Sequence, residues 1–280
     1  MYDVNGKVAL VTGAATKRGM GHSVALELAR GGADVAVVDK YEAPPSPFRG
    51  DEGWRGLKEV VEEVVFLGRK GFATVADVSV SQQVDEAVKK VLAKFGKIDI
   101  LVNCVGTGGK RDTPVIECSD EDWQVPLSVN LNGSFYTSRA VARDMVKRGQ
   151  GGKIVHISSM LGKIGRPGMS AYAASKHGII GLVQCLALEL APHKINVNCI
   201  CPGWVMTNNR DGYLKEQAQV LGISVDEVAD RRNQALSASI PLGRCATAKD
   251  MADLILFLVS SQSDYMTGQA INTTGGFLTS

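Results

Sequence analysis

Neither sign of charge dominates this 280-residue chain: 31 Lys and Arg stand against 29 Asp and Glu, a net charge of +2. That balance excludes the basic footprint of a nucleic-acid binder and gives no pull toward an anionic membrane surface. Long apolar runs are missing as well, and the longest fall far short of the ~20 residues a bilayer-spanning helix needs. The opening stretch Met1-Tyr2-Asp3-Val4-Asn5-Gly6-Lys7 has no secretory pattern. Histidine is scarce, at 22, 156, 177 and 193, without metal-ligand spacing. The six cysteines, at 104, 118, 185, 199, 201 and 245, contain one close pair, Cys199 and Cys201, with no second pair or nearby His to complete a zinc set. They read as small buried hydrophobes in a reducing compartment. The expectation is a cytoplasmic protein without a metal, a nucleic-acid partner or a membrane.

What the chain does have is apolar content, 45%, enough for one large α/β domain with a full core, and no linker-like segment divides it. Short apolar runs predict strands at Val8–Thr12, Val35–Asp39, Gly71–Val75, Ile98–Asn103, Lys153–Ile157, Ile195–Ile200 and Gln269–Asn272. Between them, helical periodicity covers Gly21–Arg30, Leu57–Leu67, Val84–Lys94, Trp123–Val146, Ala171–Leu190 and Asp250–Val259. This alternation predicts a single-domain Rossmann-type, doubly wound parallel sheet of about seven strands, with helices on both faces. Such sheets bind ligands at the carboxyl ends of their strands. Two segments break the pattern. Residues 41–56 hold three of the nine prolines and read as a loop insertion after the second strand. Residues 207–240 are polar with few strand signals, as in a substrate lid.

Tyr172 and Lys176 lie four residues apart on a predicted helix, so phenol and ammonium share a face. A phenol titrates near ~10 and is a poor acid or base at neutral pH; an adjacent cation favours the phenolate and brings it toward the useful range. Two common residues meet at this spacing by chance, and alone the pair would be ordinary helix surface. It gains meaning from Ser159, thirteen positions upstream, and from glycines near the N-terminus.

The run from Thr12 to Gly21 joins the first strand to the first helix. Gly13, Gly19 and Gly21 permit a tight turn and close approach of backbone to a pyrophosphate, and the helix N-terminus, near Arg18 and Met20, offers N–H groups and partial positive charge. Asp39 ends the second strand, where a carboxylate can bind both hydroxyls of an adenosine ribose and repel a 2′-phosphate, favouring NAD over NADP. Lys17 and Arg18 pull the other way. Asp77 and Val78 follow the third strand, toward an adenine edge. Asn103, Val105 and Gly106 follow the fourth, with Gly106 admitting close backbone approach.

Together these residues resemble the short-chain dehydrogenase/reductase family over essentially the whole chain. Thr12-Gly13 with Gly19 and Gly21 is similar to its glycine motif, although five residues rather than three separate the first two glycines. Asn103-Cys104-Val105-Gly106 is similar to its Asn-Asn-Ala-Gly turn. Asn130, Ser159, Tyr172 and Lys176 match its catalytic tetrad in order and spacing. Pro202, Gly203, Val205 and Thr207 resemble its nicotinamide-side segment, and Thr267-Gly268-Gln269 with Gly275-Gly276 its C-terminal strand and turn. The resemblance implies hydride transfer between a secondary alcohol or ketone and NAD. Tyr172 is the implied acid/base, Lys176 lowers its pKa and binds the nicotinamide ribose, Ser159 donates to the substrate oxygen, and Asn130 holds a water in a proton relay. It also implies a homo-oligomer, dimer or tetramer, with the helices at 123–146 and 171–190 at one interface. A 3-oxoacyl-thioester reductase, which usually prefers NADPH, and a non-catalytic NAD sensor are the alternatives. Lys110, Arg111, Lys163, Arg166, Asn208, Asn209 and Arg210 fall where substrate should bind; they read either as a solvated rim or as a site for an anionic or polyhydroxylated substrate such as a sugar, a sugar acid or an acyl thioester.

Overall fold

The structure, a computed structural model, describes residues 3–46, 48, 50–207 and 211–280, without the side chains of 211–213. Seven strands form one parallel sheet: β1 (Val8–Thr12), β2 (Asp34–Asp39), β3 (Gly71–Val75), β4 (Ile100–Asn103), β5 (Gly152–Ile157), β6 (Ile195–Pro202) and β7 (Ala270–Thr273). Their order is β3-β2-β1-β4-β5-β6-β7. The order reverses between β1 and β4, which leaves a crevice at the carboxyl ends of those strands. Every expected strand is present, with ends shifted by a residue or two.

Side-chain alternation decides the layers. Ala9, Val11, Val35 and Val37 point to one face, where they pack with α1 (Met20–Arg30), α2 (Leu57–Phe66) and α9 (Ala248–Val259). Leu10, Ala36 and Val38 point to the other and meet α3 (Ser81–Phe95), α5 (Gly133–Arg148) and α6 (Ser170–Leu190). Burial on both faces explains why these strands read as continuous apolar runs rather than alternating ones.

Two expectations change. The long helix at 123–146 is not continuous. It opens as α4 (Asp120–Pro126), capped by a reciprocal Ser119–Asp122 box, passes through a π-helical turn at Leu127–Asn132, and resumes as α5. Pro126 has no N–H to give the ladder, and the widened turn that follows places Asn130 fully inside the protein. The polar 207–240 segment carries two helices, α7 (Asp211–Leu221) and α8 (Val225–Ser237), the latter opened by a Ser224–Glu227 capping box.

The described residues of the 41–56 insertion form no helix or strand but are firmly packed. Phe48 sits among Leu214 and Ala218 of α7 and Val228 of α8, a small core apart from the sheet. Trp54 donates its indole N–H to the Ala15 carbonyl at 2.7 Å, and Arg18 reaches Asp51 at 3.2 Å and Asp226 at 3.6 Å. The insertion therefore ties the glycine loop to the α7–α8 pair.

Candidate active site

Tyr172, Ser159 and Lys176 meet around one cavity of about 100 Å³ at the carboxyl ends of β4, β5 and β6. The long α6 carries Tyr172 and Lys176 on a common face, and the Lys176 ammonium lies 5.7 Å from the Tyr172 ring centre. Lys176 is buried and donates to the Ile157 carbonyl at 2.7 Å. Burial pushes its pKa down from the ordinary 10.5 to about 8, so the ammonium is still charged at neutral pH. Of the two adjacent serines past β5, Ser158 donates to the Lys176 carbonyl at 2.9 Å and is thereby occupied. The Ser159 hydroxyl accepts from the Leu161 N–H at 3.1 Å, which keeps its own hydrogen to give.

Asn130 comes to this site by the π-helical turn. Its Oδ1 accepts from the Thr107 N–H at 2.8 Å, and its Nδ2 donates to the Thr107 carbonyl at 3.0 Å and to Ser175 at 2.9 Å. Both donors are spent, so the side chain fastens the loop after β4 to α6 rather than reaching outward. The Asn130 carbonyl accepts from the Ser134 hydroxyl at 2.6 Å. Ser175 was not singled out by sequence. It donates to the Tyr172 carbonyl at 2.7 Å and so links Asn130 to the tyrosine; its position three residues after Tyr172 is the signal that could have found it.

The glycine loop lies beside this cavity. Gly13 has φ of +72°, and a Cβ there would come within 2.9 Å of the Val105 nitrogen; one on Gly21 would meet the Gly13 carbonyl oxygen at 2.3 Å. The loop is thus pressed against the end of β4 and the start of α1. The two additional residues between Gly13 and Gly19 are absorbed by a tight turn in which the Gly19 N–H donates to the Thr16 carbonyl at 3.0 Å. α1 then begins with no side-chain cap and no acidic residue in its first turn. Its N–H groups and positive dipole end remain for an anion. Gly106 lies close enough that a Cβ would be 3.4 Å from the Lys176 nitrogen.

Other expected cofactor residues fall at the same edge with differing roles. Asp39 accepts from the N–H of Ala15 at 3.0 Å and of Lys40 at 2.7 Å. Burial raises its pKa, and these backbone donors oppose the rise. Lys17 donates to the Gly50 carbonyl at 2.8 Å, so it and Arg18 both turn into the insertion. Asp77 lies two residues past β3, paired with Lys40 at 2.9 Å. Val78 is buried against the first residue of α5. The Asn103 side chain is turned inward: it accepts from Thr12 and donates to Ser134 at 3.0 Å, locking β1, β4 and α5 together. Met20, Pro202, Gly203, Val205 and Thr207 line the cavity. Asn208, Asn209 and Arg210 lie outside the described residues.

The family described as enoyl-(acyl carrier protein) reductase matches residues 13–278. The 2-dehydro-3-deoxy-D-gluconate 5-dehydrogenase of Dickeya dadantii is 36% identical over 99% of this chain and 97% of its own length. The 3-oxoacyl-(acyl-carrier-protein) reductase of Thermotoga maritima is 35% identical over 98% and 99%. Among solved structures, carveol dehydrogenase from Mycobacterium avium in complex with NAD superimposes with a TM-score of 0.86 at 31% identity, covering 99% of both chains. The chain belongs to the short-chain dehydrogenase/reductase family.

As a short-chain dehydrogenase/reductase it is an NAD(P)-dependent oxidoreductase, and the loop geometry fits such a cofactor: closely packed glycines, an uncapped helix N-terminus and a carboxylate at the end of β2 line one edge. Among the described residues no group of three or more His, Cys, Asp or Glu could hold a metal, and no helix is long and apolar enough to cross a membrane.

Proposed function

We propose that this short-chain dehydrogenase/reductase prefers NAD and oxidises a secondary alcohol of a polar hydroxy compound, with Tyr172 as the acid/base. The observation that carries the reading is the convergence of Tyr172, Ser159 and Lys176 on one cavity beside the glycine loop. When bound, the nicotinamide supplies the two-electron chemistry, exchanging a hydride with the substrate carbon. Tyr172 takes the hydroxyl proton as the carbonyl forms. Lys176, charged and buried, holds the phenol toward its ionised form, and its two remaining N–H groups would be available to hold a ribose hydroxyl of the cofactor. Ser159 gives a hydrogen bond to the substrate oxygen, where charge changes along the reaction. Asn130 acts as a positioning residue for the loop after β4 and, through its carbonyl, as an acceptor for a relay water.

Preference for NAD rests on Asp39, whose carboxylate would face and repel a 2′-phosphate, while Lys17 and Arg18 are engaged by Gly50 and Asp51. The α7–α8 pair serves as the lid over the substrate. A sugar or sugar acid is the substrate class suggested by the Dickeya relative; the Thermotoga relative supports a second reading, reduction of a 3-oxoacyl thioester. The enzyme is cytoplasmic, consistent with the free state of all six cysteines, and assembles as a dimer or tetramer through α5 and α6, whose Phe135 and Leu188 are 40% and 79% exposed. The direct test is Tyr172→Phe: nicotinamide reduction should be lost while NAD still binds, and full turnover in that variant would overturn the assignment.

A further inference from the structure

The catalytic cavity holds more positive charge than proton transfer requires. Its lining includes three cations, Arg111, Arg166 and Lys176, and no Asp or Glu among the described residues. Arg111 is half-buried and makes no side-chain ion pair with a described residue. Its ionisable neighbours are Tyr172, Arg232, Asp112 and Arg166, of which Arg232 and Arg166 carry like charge. Arg166 stacks over Trp204 with 5.8 Å to the ring centre, and its pairing with the exposed Asp112 is at the 4.0 Å limit. Lys110, adjacent in sequence, is different: it turns away to Asp122 at 3.2 Å and takes no part in the cavity.

A guanidinium withdrawn from water among other cations is costly unless an anion meets it. The planar fork of Arg suits the two oxygens of a carboxylate. The cavity keeps room for that fork: a Cβ on Gly108 would lie 2.5 Å from the terminal nitrogen of Arg111. We propose that Arg111 and Arg166 form a carboxylate-binding subsite within the catalytic cavity, so that the substrate is a hydroxy acid held by its carboxylate while Tyr172 and Ser159 address a hydroxyl further along it. The proposal rests on the oxidoreductase reading above. Arg111 supplies the bidentate contact, and Arg166, braced on Trp204, neutralises the remaining charge.

The test compares binding of D-gluconate, its uncharged counterpart D-glucitol, and D-glucitol 6-phosphate to the NAD-loaded protein by calorimetry. Gluconate should bind about 10- to 100-fold more tightly than glucitol, the range of a hydrogen-bonded charged contact. That preference should vanish in Arg111→Gln, return in part in Arg111→Lys, and persist in Lys110→Gln. Equal binding of gluconate and glucitol, or a preference that survives Arg111→Gln, would overturn the subsite. Tighter binding of the phosphate than of gluconate would overturn its assignment to carboxylates. Nicotinamide reduction measured alongside separates the two readings. Turnover of neutral alcohols without acid preference sinks the subsite and leaves the dehydrogenase; Arg111-dependent acid binding with no turnover on any hydroxy acid does the reverse.

Discussion

Lys176 shows how function works against stability at a single residue. Its ammonium is nearly fully buried and faces no carboxylate among the lining residues of its cavity. The depression from 10.5 to about 8 means that the unfolded chain binds the proton more tightly than the folded one. The cost to the fold is roughly 3 kcal/mol below pH 8 and is relieved as pH rises toward 10.5. Lys176→Met should therefore raise the melting temperature at pH 7 while abolishing turnover, and the gain should shrink between pH 8 and 10.5. A lower melting temperature at pH 7 would show that the Ile157 contact outweighs desolvation. With Tyr172 in its proposed role, Tyr172→Phe removes only the acid/base and should cost at least about 10²- to 10⁴-fold in kcat, measured with NAD affinity as the control. The spacing of Tyr172, Lys176 and Ser159 was legible in the sequence because one helix face and one strand end fix them. The task of Asn130 was not, because its partners Thr107 and Ser175 lie 23 and 45 residues away in the chain.

At the scale of elements, strands were legible and interruptions were not. A strand buried on both faces is apolar throughout, and that pattern survives without any knowledge of its neighbours. The π-helical turn at Leu127–Asn132 keeps an apolar periodicity on either side, so only Pro126 hints at it. α7 and α8 were missed because they bury a narrow stripe against a satellite core rather than the sheet. Phe48 from the insertion completes that core. Its truncation, Phe48→Ala, should cost up to about 3 kcal/mol locally, the low end of a buried phenylalanine. Hydrogen exchange should then speed up in α7 and α8, by as much as about 100-fold, with the strands unchanged. Exchange left as in the parent protein would mean the insertion does not support α7 and α8. Because Arg18 joins the glycine loop to Asp51 and Asp226, Asp51→Asn should loosen the same helices and weaken NAD binding together.

Over the whole molecule, the strand order places the glycine loop, Asp39, the loop after β4 and the ends of β5 and β6 along one edge of the sheet. The alternation of strands and helices announced that edge before any contact was known. Cofactor choice depends on what faces Asp39 and on where the neighbouring cations go. Lys17 and Arg18 could be weighed only once the insertion was seen to hold them. With those cations captured, the proposed preference for NAD rests on Asp39, so Asp39→Ala should lower it by about 10-fold or more, as loss of a charged hydrogen-bonding partner does.

The most direct measurement is the rate of nicotinamide reduction with NAD and with NADP, across paired hydroxy acids and polyols, for the parent protein and Tyr172→Phe. Turnover with NAD in clear preference to NADP, and at least about 10²-fold slower in Tyr172→Phe, is the expected result. A preference for NADP, or turnover undiminished by the loss of the phenol, would contradict it.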